Sequence, residues 1–142
     1  MTRIEFFFNV EDKLQKVAEL SESAIRKGRR LMLFSPDMEV AAKVENYLWT
    51  NPAIGFTPHC RSDHTLAGVT PIIIDCDGEQ LAHDDVLVNL QSQHPPFFSR
   101  FRRLIEIVGV DEADKAAARD RYRFYRDRGY EIKSFDASGA AL

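Results

Sequence analysis

Cysteine is scarce: Cys60 and Cys76 are the only two in 142 residues. That is too few for a disulfide framework, and a reducing, cytoplasmic setting is the expectation. Long apolar runs are missing too. The longest, such as Pro71–Ile74 and Ile4–Phe8, fall far short of the roughly 20 residues a bilayer requires, so no membrane segment is expected. Residues 1–20 carry no basic start followed by an apolar stretch, and no secretory leader is expected.

Glycine is missing where nucleotide-binding folds need it. Such proteins cradle phosphate on backbone N–H groups in a glycine-rich turn between the first strand and first helix. Here that turn reads "FFFNVEDK", with no glycine and two acidic side chains where phosphate would sit, and no G-x-x-x-x-G-K-[ST] occurs elsewhere. Recognisable catalytic or metal frameworks are lacking as well. His59, Cys60 and His64 lie close together and Asp75, Cys76 and Asp77 follow, but their spacing matches none of the usual four-ligand zinc patterns. Asp84-Asp85 reads as solvated acid leading into a strand rather than an acid–base pair, and Ser35 lacks a G-x-S-x-G elbow. No catalytic residue, metal or cofactor is expected.

What is present is the composition of an ordinary globular chain, 44% hydrophobic and 29% charged, of a length that suits one domain. Apolar patterning alternates strand and helix. Arg3–Phe8, Arg30–Phe34, Thr70–Asp75, Val86–Leu90, Arg103–Val108 and Tyr130–Phe135 read as strands. Helices are expected over Val10–Lys27, capped by Asn9 and stopped by Gly28, and from Ser35-Pro36-Asp37 to about Trp49. A short helix is expected at Pro96–Arg102 and a long one at Asp111–Arg128, ended by Gly129. Alternation with short links predicts a single α/β domain over residues 1–135, three-layered and Rossmann-like, with a mostly parallel sheet and no nucleotide loop. Residues 136–142 read as a loose tail.

Charge is unevenly spread. Residues 100–133 sum to +3 and the remainder to −6, giving the net −3. The centre of the basic region is "ARDRYRFYRDRGY", residues 118–130, with five arginines and three tyrosines. On a helix, Lys115, Arg119, Tyr122, Arg123 and Arg126 share one face, while Ala113, Ala117 and Phe124 fall roughly opposite and are the expected core contact. Acids at four-residue spacing along the stripe are largely absent. Arginine binds carboxylates bidentately, and a tyrosine among the cations supplies an apolar wall, a surface suited to an acidic peptide with a terminal carboxylate or aromatic anchor. Direct binding of single-stranded nucleic acid through Arg119, Tyr122, Arg123 and Arg126 is the alternative.

Two stretches make the chain similar to a known family. "LWTNPAIGFTPH" (Leu48–His59) is similar to L-W-x-x-P-x-x-x-F-x-P-H, and residues 118–130 to A-R-x-R-Y-[KR]-x-Y-R-x-x-G-[FY]. Both are motifs of the chi subunit of bacterial DNA polymerase III holoenzyme, which the chain resembles over most of its length, with residues 61–100 matching in outline only. The resemblance implies a non-catalytic adaptor of the clamp-loader assembly that works in replication at the bacterial nucleoid. It implies that the protein holds the acidic C-terminal tail of single-stranded DNA-binding protein, pairs with the psi subunit, and contacts DNA mainly indirectly. The tail-binding role carries over to Lys115, Arg119, Tyr122 and Arg123, where the family has a lysine at the last, with Gly129 nearby and Arg126 on the same face. The psi contact carries over to Trp49, Pro52, Phe56 and Pro58.

Overall fold

The computed structural model describes residues 1–50, 59–62, 64, 66–67, 70–79 and 83–142. Among the described residues, seven parallel strands form one sheet: β1 (Arg3–Phe8), β2 (Leu31–Phe34), β3 (His59–Arg61), β4 (Ile72–Asp75), β5 (Val86–Asn89), β6 (Arg103–Ile107) and β7 (Ile132–Asp136), in the order β3-β4-β2-β5-β6-β1-β7. The helices are α1 (Lys13–Arg26), α2 (Met38–Thr50) and α3 (Glu112–Asp127), and a 3-10 turn at Phe98–Arg100 takes the place of the expected short helix.

Strand alternation sorts the core into two layers, because successive side chains leave opposite faces of a sheet. Phe7, Leu31, Leu33, Ile72, Ile74, Val86, Val88, Ile105 and Ile107 meet Val17, Ala18 and Ala24 of α1 and Ala41, Val44 and Leu48 of α2. Ile4, Phe6, Met32, Phe34, Leu87 and Leu104 meet Phe98, Phe101 and, on α3, Ala118 and Tyr125. Strands buried on both faces are near-continuous apolar runs, which is how they read in the sequence.

Three local expectations change. Asn9 does not cap α1: its backbone is left-handed (φ 62°) and its side chain donates to Asp136 across 3.2 Å. Val10 N donates to Val108 O at 3.0 Å, tying that residue to the sheet, so the helix begins later, with Asp12 accepting from Gln15 N at 3.1 Å. Strand β3 is an addition to the expected set; it is three half-buried residues on the sheet edge, beside β4. The tail turns back on β7, with Asp136 N donating to Ala140 O and Leu142 N to Ser134 O.

At the carboxyl ends of β1 and β6, Asp114 accepts from Gly109 N and pairs with Lys13 across 2.8 Å. Helices leave the sheet in opposite directions here, the usual ligand crevice of an open α/β sheet, and an internal ion pair spans it.

Candidate functional site on the last helix

Helix α3 starts at the N-cap Asp111, which accepts from Asp114 N at 2.7 Å, with Glu112 and Asp114 in the first turn complementing the helix dipole. It ends where Gly129 adopts φ 83°, letting Tyr130 N reach back to Tyr125 O at 3.2 Å. The face it buries is Ala118, Arg121 and Tyr125, with Tyr122 half-buried at its margin. This corrects the expected core contact: Ala113 is exposed, and Ala117 and Phe124 are half-buried on one flank.

The five arginines of residues 118–130 have three different jobs. Arg121 is structural. Its Nε donates to Glu106 Oε1 at 3.0 Å and its Nη1 to Ser92 O at 2.8 Å. Tyr125 Oη donates to the other Glu106 oxygen at 2.5 Å, and Asn89 Nδ2 reaches both at 3.1 Å. Burial pushes the Glu106 carboxyl up from its ordinary range, and Arg121, Tyr125 and Asn89 pull the other way. Arg128 lies over the Phe124 ring, 3.9 Å from its centroid, and His94 stacks on the same ring at 3.7 Å.

Arg119, Arg123 and Arg126 are exposed, Lys115 beside them is half-exposed, and Tyr122 lies between them and the buried face. Acids do approach this face, at positions that a four-residue spacing does not reveal: Glu112 is 4.0 Å from Lys115, Asp120 3.8 Å from Arg123, and Asp127 3.4 Å from Arg126. Such exposed pairs are worth about 0–1 kcal/mol each, so an incoming carboxylate can replace them. Arg119 has no carboxylate partner among the described residues. Tyr122 leans on Phe6, with ring centroids 5.3 Å apart, and Phe6 stacks on Phe8 at 5.6 Å. Phe8, Tyr122 and Ile132 are all partly buried against the same core cluster, so an apolar margin runs between the cations and the β1–β7 edge.

The second set of candidates lies at the other edge. Trp49, in the last turn of α2, is 68% exposed and meets His59 of β3 edge-to-face at 6.1 Å. Both line a cavity of about 510 Å³ with Glu45, Cys60, Arg61 and His64. Pro52, Phe56 and Pro58 lie outside the described residues. His59, Cys60 and His64 thus share a cavity, yet no cluster able to hold a metal ion is found among the described residues. Six strand spacings of about 4.8 Å separate β3 from β7, putting the two edges roughly 29 Å apart.

A family model for the DNA polymerase III chi subunit (HolC) matches residues 1–133. The chain belongs to the chi subunit family of DNA polymerase III. The chi subunit of Pseudomonas aeruginosa is 30% identical over 137 residues, covering 94% of this chain and 95% of that protein. Those of Haemophilus influenzae and Escherichia coli are 31% and 26% identical, covering 81% and 84% of this chain. The fold is also that of the C-terminal domain of the DEAD-box protein Dbp5, at a TM-score of 0.61 over 96% of this chain and 90% of that one. At 14% identity that likeness concerns the fold alone. As a chi subunit, the protein has an accessory role in replication alongside the polymerase. Among the described residues, no helix is long and apolar enough to cross a membrane.

Proposed function

We propose that this chi subunit is a non-catalytic cytoplasmic adaptor of the clamp-loader assembly. It holds the acidic C-terminal tail of single-stranded DNA-binding protein on α3 and pairs with the psi subunit through the surface around Trp49. The observation that carries the reading is the outward face of α3, where Arg119, Arg123 and Arg126 border the half-buried ring of Tyr122.

In this mechanism the tail's aspartates and α-carboxylate take charge-assisted hydrogen bonds from Arg119 and Arg123, displacing the weak Asp120 contact. The terminal aromatic ring of the tail packs on the margin formed by Phe8, Tyr122 and Ile132. Lys115 and Arg126 add long-range attraction that salt screens over about 8 Å at physiological ionic strength. Gly129 ends the helix without a side chain beside the ledge. An acidic tail and a psi subunit held at opposite edges of the sheet do not compete for surface, as an adaptor requires.

The experiment is a pull-down of single-stranded DNA-binding protein by the chi subunit, with and without the prey's last few residues. Retention of the intact protein and loss of the truncated one is expected. Equal retention of both overturns the reading.

A further inference from the structure

The charge sums along the sequence conceal a second cationic surface that only the fold assembles. The strands of the sheet all run the same way, so every segment entering a strand arrives at one shared end, the amino-terminal ends of the strands. Arg3 enters β1, the run "RKGRR" (residues 26–30) enters β2, and Arg102 and Arg103 enter β6. Backbone bonds join these segments: Arg3 N donates to Arg102 O at 3.0 Å, and Val86 N to Arg30 O at 3.1 Å. Arg3, Lys27, Arg29, Arg102 and Arg103 line one cavity of about 550 Å³, with Asp85 the one acidic residue in its wall.

Internal pairing uses part of this charge. Arg103 is held by Glu5 at 2.6 Å and Arg29 approaches Asp85 at 3.6 Å. Arg3, Lys27 and Arg102 are exposed and have no carboxylate partner among the described residues. The dipole at the C-terminal end of α1 favours cations at residues 26 and 27, but it explains neither Arg3 nor Arg102, which lie on no helix. Glu11, Asp12, Asp37, Asp77, Asp111 and Glu112 sit at the other ends of the strands, whereas Asp84, Asp85 and Glu131 precede β5 and β7 at the rim itself and offset part of its charge. A six-residue strand such as β1 is about 20 Å long, more than twice the screening length of about 8 Å, so the acids at the far ends do not cancel the rim, and Arg3, residues 26–30, Arg102 and Arg103 outnumber the three acids on it.

We propose that this rim, at the amino-terminal ends of the strands, binds the phosphodiester backbone of nucleic acid. The cavity wall offers only Met1 and Val86 as apolar residues and no aromatic ring, so it has nothing to anchor a peptide's side chain, unlike the α3 face. Several exposed cations spread around an open cavity suit a polymer with one negative charge per unit and no required base contact. This is a direct contact, beyond the indirect one the family resemblance implies, and it does not depend on the tail-binding role of α3.

The test is fluorescence anisotropy of a labelled oligothymidylate strand with the full chain across a salt series. Binding is expected at low salt and should weaken as salt rises. Lys27→Ala/Arg102→Ala, which breaks no ion pair, should weaken binding about tenfold. It should also flatten the slope of log affinity against log salt by roughly 1.4, about 0.7 for each phosphate that the variant no longer neutralises. Arg119→Ala should bind the strand as wild type does. Amide shift mapping on the unmodified protein should show changes at Arg3, Lys27, Arg29 and Arg102, which guards against a folding defect in the variant. The proposal is overturned if the strand does not bind at low salt, or if the shifts fall on α3. It is equally overturned if the double variant binds normally, or if polyglutamate at matched charge displaces the strand as well as unlabelled oligonucleotide does.

Discussion

Arg121 Nε donates to Glu106 Oε1 across 3.0 Å, and the two side chains are 3% and 0% exposed. A pair so withdrawn from water is costly to make and more costly to break, since removing one partner strands a charge. Arg121→Ala should therefore destabilise the protein by about 3–5 kcal/mol. Replacing the group together, Arg121→Met with Glu106→Leu and Tyr125→Phe, should recover most of that loss. Urea unfolding checks both: a midpoint shift at constant slope is expected for the single variant, and an unshifted midpoint contradicts the structural role of the pair.

Trp49 behaves oppositely. Its indole is 68% exposed at the end of α2, so Trp49→Ala should change stability by no more than about 0.5 kcal/mol while abolishing co-purification with the psi subunit. A large loss of stability would make the indole a packing element instead.

Acid should weaken the fold through two histidines. Burial, aided by Arg30 for His83 and Arg128 for His94, holds both imidazoles below their ordinary value. The folded protein then resists protons that the unfolded chain accepts from about pH 6.5 downward. Their contribution is complete above that pH and is lost as pH falls through the lower native values. His94→Gln should remove its share, so the stability difference between wild type and variant should shrink from about pH 7.5 to about pH 5.5. Chemical denaturation at several pH values checks this, and a flat difference contradicts it.

Among the described residues, six of the seven strands and the three helices are legible in the sequence: two-sided burial leaves near-continuous apolar runs in β2, β4 and β5, helical spacing marks the helices, and Gly28 and Gly129 mark two helix ends. Strand β3 is not legible: three half-buried edge residues carry no period. The core face of α3 is misread because pattern rules place alanine and phenylalanine inside and arginine outside, whereas Arg121 is buried by an acid fifteen residues earlier. A hint does exist, since Glu106 is the lone acid in the buried strand "RLIEI". The basic rim is hidden for another reason. Arg3, residues 26–30 and Arg102 are far apart in sequence, with the first two counted in the negative sum and Arg102 in the positive one, and the sheet's shared direction brings them together.

The central claim, that α3 grips an acidic terminus, is tested most directly by isothermal titration of the last residues of single-stranded DNA-binding protein, as a peptide, into wild type and Arg119→Ala. Arg119 makes no internal ion pair among the described residues, so its loss should leave the fold intact. A missing charged hydrogen bond should cost about 1.5–3 kcal/mol, a tenfold or greater fall in affinity. Equal affinity of the two proteins for the peptide would contradict the account.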